Sequence, residues 1–357
     1  MRISDRTYGR RAIALAAVVL ILAGCGFVFA EDGTDGSGSA TTGSALDDAR
    51  TGMVSRAPDE PSITFDAMGG VCDSTSKTVV FGRKYDEMPV PTMDGFVFGG
   101  WHTKRDRGAR VLENSRVKTR SDTVYYARWI PKGDYRKVRG LPILMYHWFY
   151  DKNAGGTGAN GNWLDIDMFR AHMAYLRDNQ YKFPTWREVE AFVTGKMALP
   201  PKSVVITDDD GDDSFFALAL PVIKQYNVDV TSFLITSAKG RSTVEGFADE
   251  RVRYRSHSHN MHRGGQGGKG LFLSLGREEA LKDLRTSVDE LGGKAEVFCY
   301  PFGHHNEKTA KILDEAGFRL AVTTEFKRAY PGTDRYALPR VRVSAGESLE
   351  SFISSVK

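Results

Sequence analysis

From Leu141 onward, short apolar runs alternate with stretches in which apolar residues recur every three or four positions. Pro142-Ile-Leu-Met-Tyr-His147, Val204-Val-Ile206, Val230 to Ile235, Glu296 to Tyr300 and Phe318 to Thr323 read as strands. Asp165 to Asn179 puts Phe169, Met173 and Leu176 on one helical face. Arg277 to Leu291 does the same with Leu281, Leu284, Val288 and Leu291, and Gly292 stops it. Asn306 to Ala316 predicts a further helix ended by Gly317, and Thr185-Trp-Arg-Glu188 has the form of a capping box. Strands alternating with helices imply a parallel sheet. The fold class is α/β, a distorted (β/α) barrel of about seven parallel strands.

Before Leu141 the pattern differs. Ile63 to Trp129 is rich in Val, Phe, Tyr, Thr and Gly, with turn dipeptides at Gly69-Gly70, Asp94-Gly95 and Gly99-Gly100. It predicts a small β-rich module whose aromatic residues form its core. The wording Thr64-Phe-Asp-Ala-Met-Gly-Gly70, Pro89-Val-Pro-Thr-Met-Asp-Gly-Phe-Val-Phe-Gly-Gly-Trp101 and Val124-Tyr-Tyr-Ala-Arg-Trp129 resembles the Listeria–Bacteroides (internalin B-type) repeat, with Met68 where that repeat has Asn. The resemblance implies a spacer or adhesion module. Residues 26–60 are a Gly-, Ser-, Thr- and Asp-rich linker, and residues 131–140 a short charged one. The division is therefore 1–25 signal peptide, 26–60 linker, 61–130 repeat, 131–140 linker and 141–357 barrel domain.

Composition and charge change the picture mainly at the N-terminus. Arg2, Arg6, Arg10 and Arg11 precede the apolar run Ala12 to Ala23, too short to span a bilayer comfortably. Leu22-Ala23-Gly24-Cys25 resembles a bacterial lipobox, which implies acylation of Cys25, a membrane anchor and an exported protein facing the cell surface. Cleavage after Val28-Phe29-Ala30 as an ordinary signal peptide is the alternative. Residues 1–24 hold four Arg and one Asp, so their removal lowers the formal charge from +4 to +1. A nearly neutral mature chain gives no reason to expect a nucleic-acid partner. Cys72 and Cys299 fall in different domains, which argues against a disulfide framework, and a monomer is expected.

The chemistry begins at Ser203-Val-Val-Ile-Thr-Asp-Asp-Asp-Gly211. A buried strand has no room for charge, so Asp208, Asp209 and Asp210 are expected where it emerges, at its C-terminal end. In α/β barrels that end carries the active site. Clustered carboxylates repel one another unless a cation holds them. Ser256-His-Ser-His-Asn-Met-His262 offers three histidines as further ligands. His257 and His259 would share a face of a strand, and His259 and His262 a face of a helix. His257 and His262 would need a loop, and periodicity does not choose among the three pairs.

Thr207-Asp-Asp-Asp-Gly211, His257-Ser258 with His262, Leu144-Met-Tyr-His147, Tyr300-Pro-Phe-Gly303 and Leu338-Pro-Arg-Val-Arg342 together resemble the NodB-type polysaccharide deacetylases, carbohydrate esterase family four, in the poly-N-acetylglucosamine deacetylase branch. The resemblance implies one divalent metal on Asp210, His257 and His262, most simply zinc, with cobalt, nickel or manganese as other options. It implies Asp209 as general base and the Tyr300-Pro301-Phe302-Gly303 loop at the substrate, the Phe302 N–H holding the oxyanion. The family's usual general acid is a histidine near the C-terminus, and no histidine follows His305; resemblance to the poly-N-acetylglucosamine branch implies instead the Tyr-His of the first strand, His147, as general acid. The substrate would be an N-acetylglucosamine polysaccharide, peptidoglycan or poly-N-acetylglucosamine. Asp208 replaces an aromatic residue of the motif and adds a carboxylate beside the site. Cys299 stands where many relatives carry an arginine that orients the base, and Arg340 is the expected substitute. Asp212 and Asp213 are expected to cap the next helix, and His304 and His305 to be loop or rim residues. Two alternatives come from other classes. One is an inactive deacetylase fold that binds glycan at the surface. The other is an iron(II) oxygenase, which would not need the adjacent second aspartate.

Overall fold

A computed structural model describes residues 59–136 and 138–357. The signal peptide with Cys25, and all but the last two residues of the 26–60 linker, lie outside the described residues. The first described unit is the repeat. Strands β1 (Ser62–Asp66), β2 (Ser76–Thr78), β3 (Phe96–His102), β4 (Arg110–Val111) and β5 (Thr123–Pro131) form one sheet in the order β2-β1-β5-β3-β4. Only the β1–β5 pairing is parallel. Phe65, Phe98, Trp101 and Tyr125 are buried there, with Phe65 and Trp101 ring centroids 4.8 Å apart. So small a sheet depends on aromatic area to supply its core.

The second unit begins with β6 (Ile143–Tyr146), followed by β7 (Trp148–Tyr150), β8 (Trp163–Asp165), α1 (Ile166–Asp178), α2 (Trp186–Val193), β9 (Val205–Asp210) and α3 (Leu220–Tyr226). It continues through β10 (Val230–Leu234), α4 (Arg241–Gly246), β11 (Val252–Ser256), α5 (Arg277–Glu290), β12 (Val297–Cys299), α6 (Glu307–Glu315), β13 (Leu320–Phe326), β14 (Leu338–Arg342) and α7 (Leu349–Val356). Seven strands close into a barrel in the order β10-β11-β12-β13-β14-β6-β9, every neighbour parallel. Alternation along each strand sends side chains to two cores. Ile143, Val205, Phe233, Cys299, Val322 and Leu338 fill the interior, while Leu144, Ile206 and Leu234 pack outward with residues of α1 and α3.

One expectation is corrected here. β9 does not stop before its charges: it runs through Asp208 and Asp209 to Asp210, and the first two are buried. Each buried carboxylate has its own means of staying inside, on opposite faces of the strand, as described below.

The repeat docks on the end of the barrel where the strands begin. Phe98 N–H donates to the Lys196 carbonyl (3.0 Å) and Ala198 N–H to the Phe98 carbonyl (2.8 Å), and Ala191 and Met197 join the repeat's core. Asp229, just before β10, accepts from Lys84 Nζ at 2.7 Å and from Asn114 Nδ2 at 3.0 Å. Glu113 of the repeat accepts from Thr185 Oγ1 at 2.6 Å, and Thr185 also opens α2 through the capping box foreseen with Glu188. Backbone pairing, a shared core and buried polar bonds make this a fixed seam.

Glu188 is fully enclosed at that seam. Burial, and then the neighbouring Glu113, push its carboxyl up to about 7. A carboxyl raised above its unfolded value favours the folded state at low pH, and that contribution is lost as pH rises from about 4.5 through about 7. Glu188→Gln keeps an acceptor for the Thr185 N–H and removes the titration. The variant is expected to match the parent's thermal stability at pH 4.5. It should exceed it at pH 8, by up to about 3 kcal/mol for a shift of this size. Thermal unfolding at the two pH values measures the difference.

Candidate active site

Three strand ends and one long loop build the site. β9 delivers Asp209 and Asp210, β14 delivers Arg340, β6 is followed at once by His147, and β11 ends at Ser256, just before His257. The histidines therefore lie in a loop, and His257 and His262 are the pair that converges. Each presents Nε2 at 3.5 Å from Asp210 Oδ1, with ring centroids 4.7 Å apart. His259 turns away and its Nδ1 contacts Thr236 Oγ1 at 3.1 Å. Asp283 of α5 clamps the loop by accepting the His259 and Asn260 N–H groups, both at 2.7 Å. The sequence carried no sign of that clamp, because only the tertiary fold brings α5 to the loop.

Backbone strain concentrates at this mouth. Asp210 (φ 75), Ser258 (φ 73) and Phe302 (φ 59) are all left-handed without being glycine. Such conformations cost of order 1–3 kcal/mol each and persist where the surroundings over-determine them. The motif glycine, Gly211, has φ 65, and a Cβ there would run into the Leu234 side chain.

Asp209 points into the barrel and meets Arg340 in a two-pronged pair, Nη1 to Oδ1 and Nη2 to Oδ2, both 2.7 Å. Arg340 is fully buried, and its remaining donors reach the Thr323 carbonyl (2.8 Å), Thr207 Oγ1 (3.0 Å) and Cys299 Sγ (3.4 Å). Burial opposes ionisation of Asp209, but the guanidinium overrides it and holds the carboxyl well below the usual range. Arg340 thus grips the residue it was expected to support, and Cys299, with its thiol pushed up by burial, lies beside the pair. His147 Nε2 is 3.9 Å from Asp209 Oδ2, and burial lowers its pKa. Its Nδ1 is buried with no protein partner.

Asp208 lies on the opposite face of β9 and does not add charge at the mouth. Its Oδ2 accepts from Ser232 Oγ at 3.0 Å, its Oδ1 has no partner, and burial followed by the Asp209 charge raises its pKa well above normal. Its surroundings in the wall favour the neutral acid. Of the Tyr300–Gly303 loop, only Phe302 is exposed, at 44%, and its ring packs on His262 with centroids 4.4 Å apart. Tyr300 is fully buried on the outer side and packs with Phe298 and Phe272, so its side chain does not reach the mouth. Pro301 is buried, and Gly303 (φ 73) packs against Thr324. Asp212 accepts from Ser214 N–H at 2.9 Å and so opens the following turn, while Asp213 pairs with Lys239. His304 Nδ1 accepts from Gly270 N–H at 2.9 Å, and His305 stacks on Tyr300.

Among the described residues two donor sets could hold a cation, and they share His257: Asp210, His257 and His262, or Asp209, His257 and Cys299. The second set is already committed. Arg340 occupies both oxygens of Asp209 and contacts the Cys299 sulfur, and His257 Nδ1 donates to the Cys299 carbonyl at 2.8 Å. That bond fixes the tautomer and turns the Nε2 lone pair toward Asp210. One carboxylate oxygen and two imidazole nitrogens then face the mouth together, a donor set suited to a borderline divalent ion.

Removing Arg340 would leave a buried, unpaired carboxylate. Arg340→Ala is expected to lower unfolding free energy by about 3–5 kcal/mol, the cost of breaking a buried pair from one side. Urea denaturation, with Arg340→Lys as an intermediate case, measures it.

Comparison with known proteins agrees with this geometry. The polysaccharide deacetylase family profile matches residues 196–321, and the Listeria–Bacteroides repeat profile matches residues 62–128. A Bacillus subtilis protein named as a polysaccharide deacetylase, YxkH, is 31% identical over 226 residues, covering 60% of this chain and 76% of its own. A Staphylococcus epidermidis poly-β-1,6-N-acetyl-D-glucosamine N-deacetylase is 28% identical over 201 residues, 52% of this chain and 69% of that protein. Among solved structures, IcaB from Ammonifex degensii superposes with a TM-score of 0.52 at 26% identity, over 61% of this chain and 95% of IcaB. The Streptococcus pyogenes deacetylase PplD, solved with acetate, shares the fold with a TM-score of 0.53 at 20% identity, over 61% of this chain and 99% of PplD. The chain belongs to the polysaccharide deacetylases, hydrolases of the carbohydrate esterase four fold, and carries a Listeria–Bacteroides repeat ahead of its barrel.

Proposed function

We propose that the protein is a metal-dependent N-deacetylase of an N-acetylglucosamine polysaccharide, with poly-β-1,6-N-acetylglucosamine as substrate. The observation that carries this reading is the convergence of Asp210, His257 and His262 beside an ionised Asp209 that Arg340 holds in place. The names of the staphylococcal relatives support the choice of polymer over peptidoglycan.

Asp210, His257 and His262 would hold the ion, zinc in the simplest case. A divalent cation there supplies Lewis acidity to the acetamide carbonyl and to the attacking water. The protein's own residues do the rest. Asp209, ionised at every working pH, accepts a proton from the attacking water as its oxygen bonds to the acetyl carbon. Its low pKa makes it a weak base, and the two-pronged grip of Arg340 compensates with orientation. The Phe302 N–H, on the strained turn facing His262, is the proposed donor to the developing oxyanion. As the carbon–nitrogen bond breaks, the proton that Asp209 took from the water passes to the leaving amine by way of His147, whose Nε2 lies 3.9 Å from Asp209 Oδ2. Acetate and a glucosamine unit are the products.

Acetate release from β-1,6-linked N-acetylglucosamine oligomers, assayed with zinc and with chelator, tests the reading. Chelation is expected to abolish release and zinc to restore it. Asp209→Asn should retain bound metal and lose activity by at least about a hundredfold, and His147→Gln should lose about 10²–10⁴ in kcat. Release that is indifferent to chelator, or unaffected by Asp209→Asn, would refute the proposal.

Export and anchoring through Cys25 complete the reading, on the strength of Leu22-Ala23-Gly24-Cys25. Cys25→Ser is expected to move the protein out of the membrane fraction, as immunoblotting of fractionated cells would show.

A further inference from the structure

In the proposed reaction the breaking bond joins an acetyl group, held at Asp210, His257 and His262, to an amine nitrogen that faces His147. That nitrogen belongs to the sugar. The sugar therefore lies on the His147 side of the mouth, and a glycan site has to be sought there.

The chain places a tryptophan pair at that position. Trp148 directly follows His147, and the two rings meet edge to face at 6.2 Å. Trp163 is opposite Trp148 in the short β7–β8 sheet, with centroids 5.5 Å apart and planes inclined by 54°. The pair sits on the rim. Phe149 N–H donates to Ser214 Oγ, just beyond the aspartate motif, and Asn162 accepts from Arg342 at the end of β14.

How the five tryptophans use their indole N–H separates this pair from the others. Trp101 donates to the Pro89 carbonyl (2.8 Å), Trp129 to the Ala67 carbonyl (2.9 Å) and Trp186 to Thr231 Oγ1 (2.9 Å). Among the described residues neither Trp148 nor Trp163 has a protein acceptor, and neither nitrogen is a buried orphan. Both rings are only half-buried. A tryptophan kept for packing hides its ring and satisfies its N–H. These two keep partly open faces and free donors beside a buried His147 Nδ1 that also has no protein partner.

We propose that Trp148 and Trp163 form a carbohydrate-stacking subsite on the leaving-amine side. The apolar C–H face of a pyranose ring packs on the indoles, and its hydroxyls accept from the free N–H groups. The subsite makes glycan length a determinant of affinity. The inference rests on the proposed deacetylation, because that reaction defines which side the sugar occupies.

Two measurements test it. Steady-state acetate release from a β-1,6-linked N-acetylglucosamine pentamer is compared for the parent, Trp148→Ala, Trp163→Ala and the corresponding Phe variants. The Ala variants are expected to raise KM about tenfold, a loss of the size of one aromatic stacking contact plus its buried area, with a much smaller fall in kcat. The Phe variants should recover most of that affinity. In an Asp209→Asn background, the same pentamer should change tryptophan fluorescence saturably, and the Trp148→Ala, Trp163→Ala double variant should abolish the change. A fall in kcat at unchanged KM, or no rescue by Phe, would assign the pair to packing and overturn the proposal. If the parent releases no acetate from the pentamer, the deacetylase reading fails. The fluorescence titration then still decides whether the shelf binds glycan.

Discussion

A carboxylate inside a barrel wall survives only with a partner that repays its lost hydration, and here that partner is Arg340. The Asp209–Arg340 pair is fully enclosed, two-pronged, and tied to Thr207, Thr323 and Cys299. Much of the site depends on it. It lets β9 carry charge along its buried length. It withdraws Asp209 and Cys299 from competition for a cation. It thereby leaves Asp210, the last residue of the strand, as the carboxylate that faces His257 and His262. A buried pair of this kind is weak evidence for stability, since hydrophobic replacements can be as stable. What the pair does fix is the position and ionisation of one aspartate.

The two ends of the barrel are specialised differently. The end where strands begin is covered by the repeat, through backbone pairing at Phe98 and buried bonds to Asp229 and Glu113. The end where strands finish carries the strained residues Asp210, Ser258 and Phe302, the aromatic rim and the histidine loop. Strain of this kind persists where the surroundings over-determine it. The docked β module covers the other end and leaves the candidate site open. The repeat, expected as a spacer or adhesion module, is packed against the barrel by backbone pairing and a shared core.

Much of this was legible in the sequence because it is written in local periodicity. The helices at Asp165, Arg277 and Asn306, the capping box at Thr185 and five of the seven barrel strands all announce themselves within a dozen residues. β11 and β14 did not, since Val252–Ser256 and Leu338–Arg342 are broken by arginines whose burial or pairing only the fold provides. The pairing of His257 with His262 rather than His259 could not be read from spacing either, because a loop with Ser258 in a left-handed conformation sets it. Asp208 shows the limit most plainly. Three consecutive aspartates look like one cluster, but strand alternation sends the middle one to Arg340 and the first to Ser232, where burial raises its pKa.

The central claim is that Arg340 reserves Asp209 for proton transfer and leaves Asp210, His257 and His262 to hold one cation. Anomalous X-ray diffraction at the zinc edge, from crystals grown with zinc, tests it most directly. The account predicts a single anomalous peak within bonding distance of Asp210, His257 and His262, with Asp209 still paired to Arg340. A peak on Asp209 and Cys299, or an Asp209 drawn away from Arg340 into the coordination sphere, would contradict it.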